Sequence, residues 1–314
     1  MTSQPYDELA PTESLATRLQ DAPTAADGTL APGARLGHYR IEGLLGRGGM
    51  GEVYRATQLE PVRREVALKL MRAQRLQARH LAWFEVERQV LAQMRHPAIA
   101  QIYDAGTTEE GYPFFAMELI EGSPITRYCR EQRLSLDERV ALFIRVCEGV
   151  QHAHHKGVVH RDLKPGNLLV DTLDGRPAPK IIDFGIAMAA SLAGDAALER
   201  AGTPEYMSPE QAHGDARQVD TRSDVYSLGV VLCELVSGVR PEAVGETWSA
   251  ETPTAVAPSS RLAALPAEQA RQVAQERGLS LPRMRDRLRG DLDWIVLKAM
   301  QHDRDASYGS VAAL

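Results

Sequence analysis

Cysteine is scarce. The 314 residues hold three, Cys129, Cys147 and Cys233, and none stands in a CxxC pair. That excludes a disulfide framework and a cysteine zinc site, and it suits a reducing cytosol. An excess of basic residues is also missing: the formal net charge is −6 and the pI is near 5.9. Nothing here draws the chain non-specifically to nucleic acid. Long apolar runs are absent as well. The best stretch, 228–236, is interrupted by Gly229 and Glu234 and reads as a core helix, not a membrane span. The N-terminus has no basic start followed by an apolar block, so no signal peptide is expected.

What remains is ordinary globular material, 44% hydrophobic and 25% charged, enough to bury the core of one large domain or two lobes. Residues 1 to about 32 are rich in Ala, Thr, Pro and acidic side chains and poor in large apolar ones. Such a stretch does not offset its ordering entropy, and a disordered tail is expected over 1–35. Threonines within it, among them Thr12, Thr17, Thr24 and Thr29, leave phosphorylation open, beside the plainer reading of a solvated linker.

Residues 160–167 read HRDLKPGN. Pro165 and Gly166 argue for a loop, and the apolar stretches on either side read as a helix end and a short strand. The loop presents Asp162, Lys164 and Asn167. A carboxylate can accept a proton from an attacking hydroxyl, a lysine can neutralise a transferring phosphoryl group, and an amide oxygen can ligate Mg²⁺. Phosphoryl transfer needs that equipment, because its catalysis is mostly positioning and electrostatics.

Further signals lie far from this loop. Strand-like segments YRIEGLLG, GEVYRAT and REVALKLM follow one another from Tyr39, with GRGGMG (Gly46, Arg47, Gly48, Gly49, Met50, Gly51) between the first two. A GxGxxG between two strands differs from the dinucleotide motif, which opens a helix. The third strand carries Val66-Ala67-Leu68-Lys69, and the lysine can reach phosphates that the glycines admit. KIIDFG at 180–185 ends a strand with Asp183, a second candidate Mg²⁺ ligand. At 135–138, Ser135 and Glu138 form a capping box ahead of a long amphipathic helix. That helix ends in His152, His154 and His155, read as structural or exposed because no ligand set completes a metal site.

From about Tyr39 nearly to Leu314 the sequence resembles the eukaryotic-type serine/threonine protein kinases, in particular their bacterial members. The resemblance implies an α+β, bilobal protein kinase fold: a small antiparallel-sheet N-lobe with one helix, the family's αC, over 36–121, and a larger, mainly helical C-lobe over 122–314. It implies ATP and Mg²⁺ as cofactors and a protein substrate, with self-association for autophosphorylation as a further expectation. Asp162 would be the base and Lys164 would steady the transferring group, with Thr203 supporting both. Lys69 would be held by Glu87, for which Glu85 is the rival. Asn167 and Asp183 would bind Mg²⁺. Leu45, Gly46, Arg47, Gly48, Gly49, Met50, Gly51, Val53, Ala67, Lys69 and Leu169 would surround the nucleotide. Met117 would be the gatekeeper, and the Glu118 carbonyl and Ile120 amide would face adenine. The expected location is the cytoplasm, as a chain on its own or as the cytoplasmic domain of a longer, membrane-anchored protein, since Leu314 falls within a helical pattern without a cap. Asp224 would brace the catalytic loop from below.

Three departures accompany the resemblance. Only Ser191 lies between Gly185 and Thr203 to take an activating phosphate, so Ser191 or the acidic Asp195 and Glu199 would order that segment. Ser307 stands where an arginine normally pairs with the glutamate of the Ser208-Pro209-Glu210 motif, leaving Arg304 as the replacement or Glu210 without an ionic partner. The irregular stretch 240–258 reads as shortened or looped where family members often build a substrate-docking helix. The rival functions are a pseudokinase scaffold that binds ATP without transferring phosphate, and a small-molecule kinase of related fold.

Overall fold

The computed structural model describes residues 29–48, 51–71, 91, 93–108, 112–184, 203–213, 218–241 and 255–314. Gly49, Met50, Glu85, Glu87, the segment 186–201 with Ser191, Asp195 and Glu199, most of 240–258 and the tail up to residue 28 lie outside the described residues. Contacts divide the chain into two compact units, Met1–Arg75 with Asp104–Ala116, and Leu76–Tyr103 with Met117–Leu314.

The first unit is built on a six-stranded sheet. Its strands are β1 (Arg35–Leu36), β2 (Tyr39–Gly48), β3 (Gly51–Gln58), β4 (Arg64–Met71), β5 (Ile102–Thr107) and β6 (Pro113–Glu118), in the order β1-β2-β3-β4-β6-β5. The three segments expected as strands from Tyr39 are the antiparallel β2, β3 and β4. Their register puts Ile41 opposite Ala56 and Ala56 opposite Val66, a buried apolar row along one face. Register shifts between Ile41 and Gly43 and between Leu44 and Gly46 break the alternation of β2. Beyond them Leu45, Gly46, Arg47 and Gly48 are exposed. Gly51 returns the chain at φ 144°, and a Cβ there would lie 2.2 Å from the Leu70 carbonyl oxygen, so only glycine fits.

From Thr29 the chain is packed: Leu30 and Ala34 share the core of this sheet with Tyr39, Tyr54 and Phe114. The Tyr54 hydroxyl accepts from the Leu30 amide at 3.1 Å and donates to Glu52 at 2.5 Å. Burial and that carboxylate push the phenol up to about 12, so it stays a donor at every ordinary pH. A Tyr54→Phe variant strands a buried amide and removes one partner of a buried carboxylate. It should lose about 1–3 kcal/mol in urea unfolding; an unchanged midpoint would show that both groups find other partners.

The second unit carries β7 (Ser123–Pro124), α1 (Ile125–Glu131), α2 (Leu136–His155), β8 (Leu168–Leu173), β9 (Arg176–Ile181), α3 (Pro209–Ala212), α4 (Thr221–Ser237), α5 (Pro258–Ala264), α6 (Ala267–Gln275), α7 (Leu281–Leu288) and α8 (Asp291–Ala299). The expected capping box begins α2: the Glu138 amide donates to Ser135 Oγ at 3.3 Å and the Ser135 amide to Glu138 Oε2 at 2.8 Å. The α4 helix is apolar nearly all round and buried accordingly, from Ser223 to Ser237. It ends at Gly238 with φ 80°, and its carbonyl end is met by two buried guanidinium groups. Arg139 and Arg277 both donate to the Leu235 oxygen, at 3.4 and 3.0 Å. Burial, then the charge of Arg139, lowers the Arg277 pKa to about 9.

The segment before β5 is bonded to β9. Ala100 donates to the Ile181 oxygen at 2.9 Å and Ile181 donates to the Ala98 oxygen at 2.8 Å. Helix α2 crosses this junction at Gly149, where a Cβ would lie 2.8 Å from Ile181 Cδ1 and 3.2 Å from Ala98 Cβ. Three anchors therefore fix β9, whose end leads to Asp183. Among the described residues no helix is long and apolar enough to cross a membrane.

Candidate active site

The loop His160 to Asn167 joins α2 to β8, and its backbone is held from inside the second unit. Asp224, on the first turn of α4, is fully buried and accepts the amides of His160 and Arg161, each at 2.8 Å. This is the bracing role expected of Asp224. His154 adds a contact to the same carboxylate, Nε2 to Oδ2 at 2.7 Å, with its side chain only 4% exposed. The other histidines at that helix end are placed differently. His152 stacks against His96 at 5.3 Å, and His155 meets Gln151 at 2.8 Å.

His160 ties the loop to the segment bearing Asp183. Its Nδ1 accepts the Asp162 amide at 3.3 Å, which leaves the proton on Nε2, and Nε2–H donates to the Ile182 carbonyl at 3.0 Å. Its ring lies 4.6 Å from that of Phe184, and the Ile182 amide donates to the Asn167 carbonyl at 3.0 Å. Arg161 and Asp183 both have positive φ, 68° and 65°. Strained non-glycine residues of this kind concentrate where side-chain placement matters for function.

The structure brings four of the expected residues together. Lys164 Nζ lies 2.7 Å from Asp162 Oδ2 and donates to Thr203 Oγ1 at 2.7 Å. Asn167 Nδ2 donates to the Asp162 carbonyl at 2.8 Å and to Oδ2 at 3.0 Å. The Thr203 amide donates to Asp162 Oδ1 at 3.1 Å. A carboxylate has about four lone-pair sites. Among the described residues three are taken, two on Oδ2 and one on Oδ1, which leaves one acceptor position on Oδ1.

Asn167 spends its NH₂ on Asp162, and its amide oxygen accepts no hydrogen bond among the described residues. That oxygen and the Asp183 carboxylate are both hard oxygen donors, the chemistry that suits Mg²⁺. Met117 is buried, while Ile120 and Leu169 are partly buried. The Glu118 side chain does something the sequence did not suggest: it accepts from Lys180 at 2.9 Å and from the Gln101 amide at 3.1 Å, pinning the strand end beside Ile120. In the first unit Lys69 is 5% exposed, Ala67 is buried and Val53 partly so.

A model of the protein kinase domain matches residues 39–270. The chain belongs to the protein kinase family. Its relatives include serine/threonine-protein kinase pkn3 of Myxococcus xanthus, 41% identical over 65% of this chain and 38% of the relative. PknB of Mycobacterium tuberculosis is 33% identical over 88% of this chain and 41% of its own length. The PknI kinase domain of M. tuberculosis has a solved structure that covers 90% of this chain and 96% of that chain, with a TM-score of 0.63 and 25% identity. The fold is therefore the protein kinase fold expected from the sequence. The chain spans about two fifths of the length of the curated relatives it matches.

Of the two outcomes expected for Glu210 the second holds: among the described residues it has no ionic partner. Arg304 does not replace the missing arginine: it donates to the Gln218 carbonyl at 2.9 Å and lies 3.9 Å from Asp220. Glu210 instead accepts from the Ser223 hydroxyl at 2.5 Å. Ser307, at the arginine's position, donates to the Ala299 carbonyl at 3.1 Å. A neutral hydroxyl suffices because Glu210 is only partly buried, so its carboxylate keeps some water and needs no full counter-charge. An ionic tie between α4 and the 303–308 segment is made elsewhere, by Arg222 and Asp305 at 2.6 Å.

Proposed function

We propose that this chain transfers the γ-phosphoryl group of ATP to serine or threonine hydroxyls of a protein substrate. The observation that carries the reading is the threefold grip on Asp162 by Lys164, Asn167 and Thr203. It holds a carboxylate in one orientation with a single lone pair of Oδ1 left over. A substrate hydroxyl hydrogen-bonds there, and Asp162 orients it and takes its proton as the oxygen attacks the γ-phosphorus, whose bond to the β,γ-bridging oxygen breaks so that ADP leaves with that electron pair. Lys164, already between Asp162 and Thr203, places its ammonium charge where the transferring group gathers negative charge. Glu87 is assigned to Lys69, and Lys69 to the α and β phosphates. Backbone amides of Gly46 to Gly51, with Leu45, Val53, Ala67, Met117, Glu118, Ile120 and Leu169, are assigned to the nucleotide. Asn167 and Asp183 would hold Mg²⁺, which when bound would neutralise phosphate charge.

Because ATP is the donor, we place the activity in the cytoplasm, with a second copy of the chain among the protein substrates. Incubation with γ-labelled ATP, Mg²⁺ and a generic basic protein should put label on serine and threonine, recovered after acid hydrolysis. ATP binding with no label on any protein would replace this reading with a scaffold. Label on tyrosine alone would overturn the stated specificity.

A further inference from the structure

Arg161 adopts φ 68° directly before Asp162. A side-chain-bearing residue stays in that conformation only where its surroundings fix it. The amide on its N-terminal side is fixed by Asp224. The carbonyl on its C-terminal side accepts from Gln211 Nε2 at 2.7 Å. That carbonyl shares one rigid peptide plane with the Asp162 amide, so whatever holds the oxygen also sets the orientation from which the Asp162 side chain departs.

Gln211 is itself fixed. It is buried on α3, and its Oε1 accepts from both the amide and the hydroxyl of Ser208, at 3.1 and 3.0 Å. Its amide is thus fully oriented, with the NH₂ end aimed at Arg161 and the oxygen end spent. Thr203, eight positions earlier on the same stretch, holds the Asp162 carboxylate. The stretch 203–211 therefore grips Asp162 twice, at the side chain through Thr203 and at the backbone through Gln211.

We propose that Gln211 is a positioning residue, which fixes the Arg161–Asp162 peptide plane and makes the alignment of the base depend on the order of the 203–211 stretch. The proposal rests on the kinase reading above. Gln211→Glu isolates the link. The carboxylate still accepts both Ser208 bonds but turns an acceptor toward the Arg161 carbonyl. Its kcat should fall about 10- to 100-fold while the KM for ATP stays within about twofold, since small misplacements of a reacting group are costly. A protonated glutamate can donate to that carbonyl, and burial against an oxygen favours protonation. The ratio of variant to wild-type kcat should therefore rise as pH falls from about 8 to about 6. A flat ratio, or a loss that only follows the folded fraction, overturns the proposal.

A second measurement needs no catalysis. In Gln211→Met, hydrogen exchange at the Asp162 amide should accelerate at least about tenfold while the Leu228 amide in α4 stays protected. Equal exchange at Asp162 in variant and wild type would end the proposal. If wild type proves no faster than Asp162→Asn, the kinase reading fails alone, and the exchange result still decides whether Gln211 fixes the loop.

Discussion

An Asp162→Asn variant is expected to bind ATP as wild type does and to transfer phosphate about a thousandfold more slowly, in the range that positioned acid–base groups contribute. The substitution keeps the shape and removes the proton acceptor, and it does more. Asp162 Oδ2 sits against two donors, Lys164 Nζ at 2.7 Å and Asn167 Nδ2 at 3.0 Å. Whichever way the new amide turns, either its NH₂ meets those donors or its oxygen leaves the Thr203 amide. The groups that grip the base therefore loosen along with its loss, and Lys164 loses the partner that aims it. The kinetic signature is a fall in kcat with the KM for ATP and nucleotide affinity nearly unchanged, measured by labelled transfer and by nucleotide titration. A kcat within about threefold of wild type would remove Asp162 from the role of base.

Much of this site was legible because its chemistry is local in sequence. Asp162, Lys164 and Asn167 share eight residues with a proline and a glycine that force a loop, so their convergence required little long-range information. The strands were legible for the same reason: the Ile41, Ala56 and Val66 row follows from period-two alternation in three consecutive segments. The capping box at Ser135 was likewise readable three residues at a time.

What the sequence concealed depends on distant pairs. Gln211 reaches a carbonyl fifty positions away, and His154 reaches a carboxylate seventy away. A glutamine after a proline and a glutamate carries no signal of either contact. The two arginines at the end of α4 were hidden for a related reason, since charged residues read as surface until the carbonyls they cap are known. Leu30 and Ala34 are a different case. Composition averaged over some thirty residues reads as disorder, yet two apolar side chains and one amide, placed against Tyr54, are enough to seat the end of that stretch. The exchange of an arginine for Ser307 was visible, but its consequence was not. The compensating hydroxyl comes from Ser223, on a helix with no sequence link to either residue.

Removing Asp224 should do large structural damage to the second unit. The residue is fully buried and touches none of the groups assigned to substrate or nucleotide, yet three donors end on its two oxygens. In Asp224→Ala the amides of His160 and Arg161 and the Nε2–H of His154 lose their partner together. Leaving buried donors of this kind unpaired should cost about 3–5 kcal/mol, more than any exposed ion pair in the chain could. Arg161 would then have no reason to stay at φ 68° on its N-terminal side, so kcat should fall at least about a hundredfold even at temperatures where the variant is folded. Asp224→Asn is the sharper test. Its oxygen can keep the Arg161 amide, but its NH₂ faces the His160 amide. The NH₂ can donate to His154 only if the histidine moves its proton to Nδ1, an atom that is buried without a partner. The asparagine variant should accordingly recover part of the stability lost in the alanine variant and little of the rate, because the amide of His160 stays unsatisfied and the loop keeps a second conformation. Thermal unfolding beside single-turnover transfer separates the two quantities. Full recovery of rate in Asp224→Asn would mean that the loop is positioned from the α3 side alone.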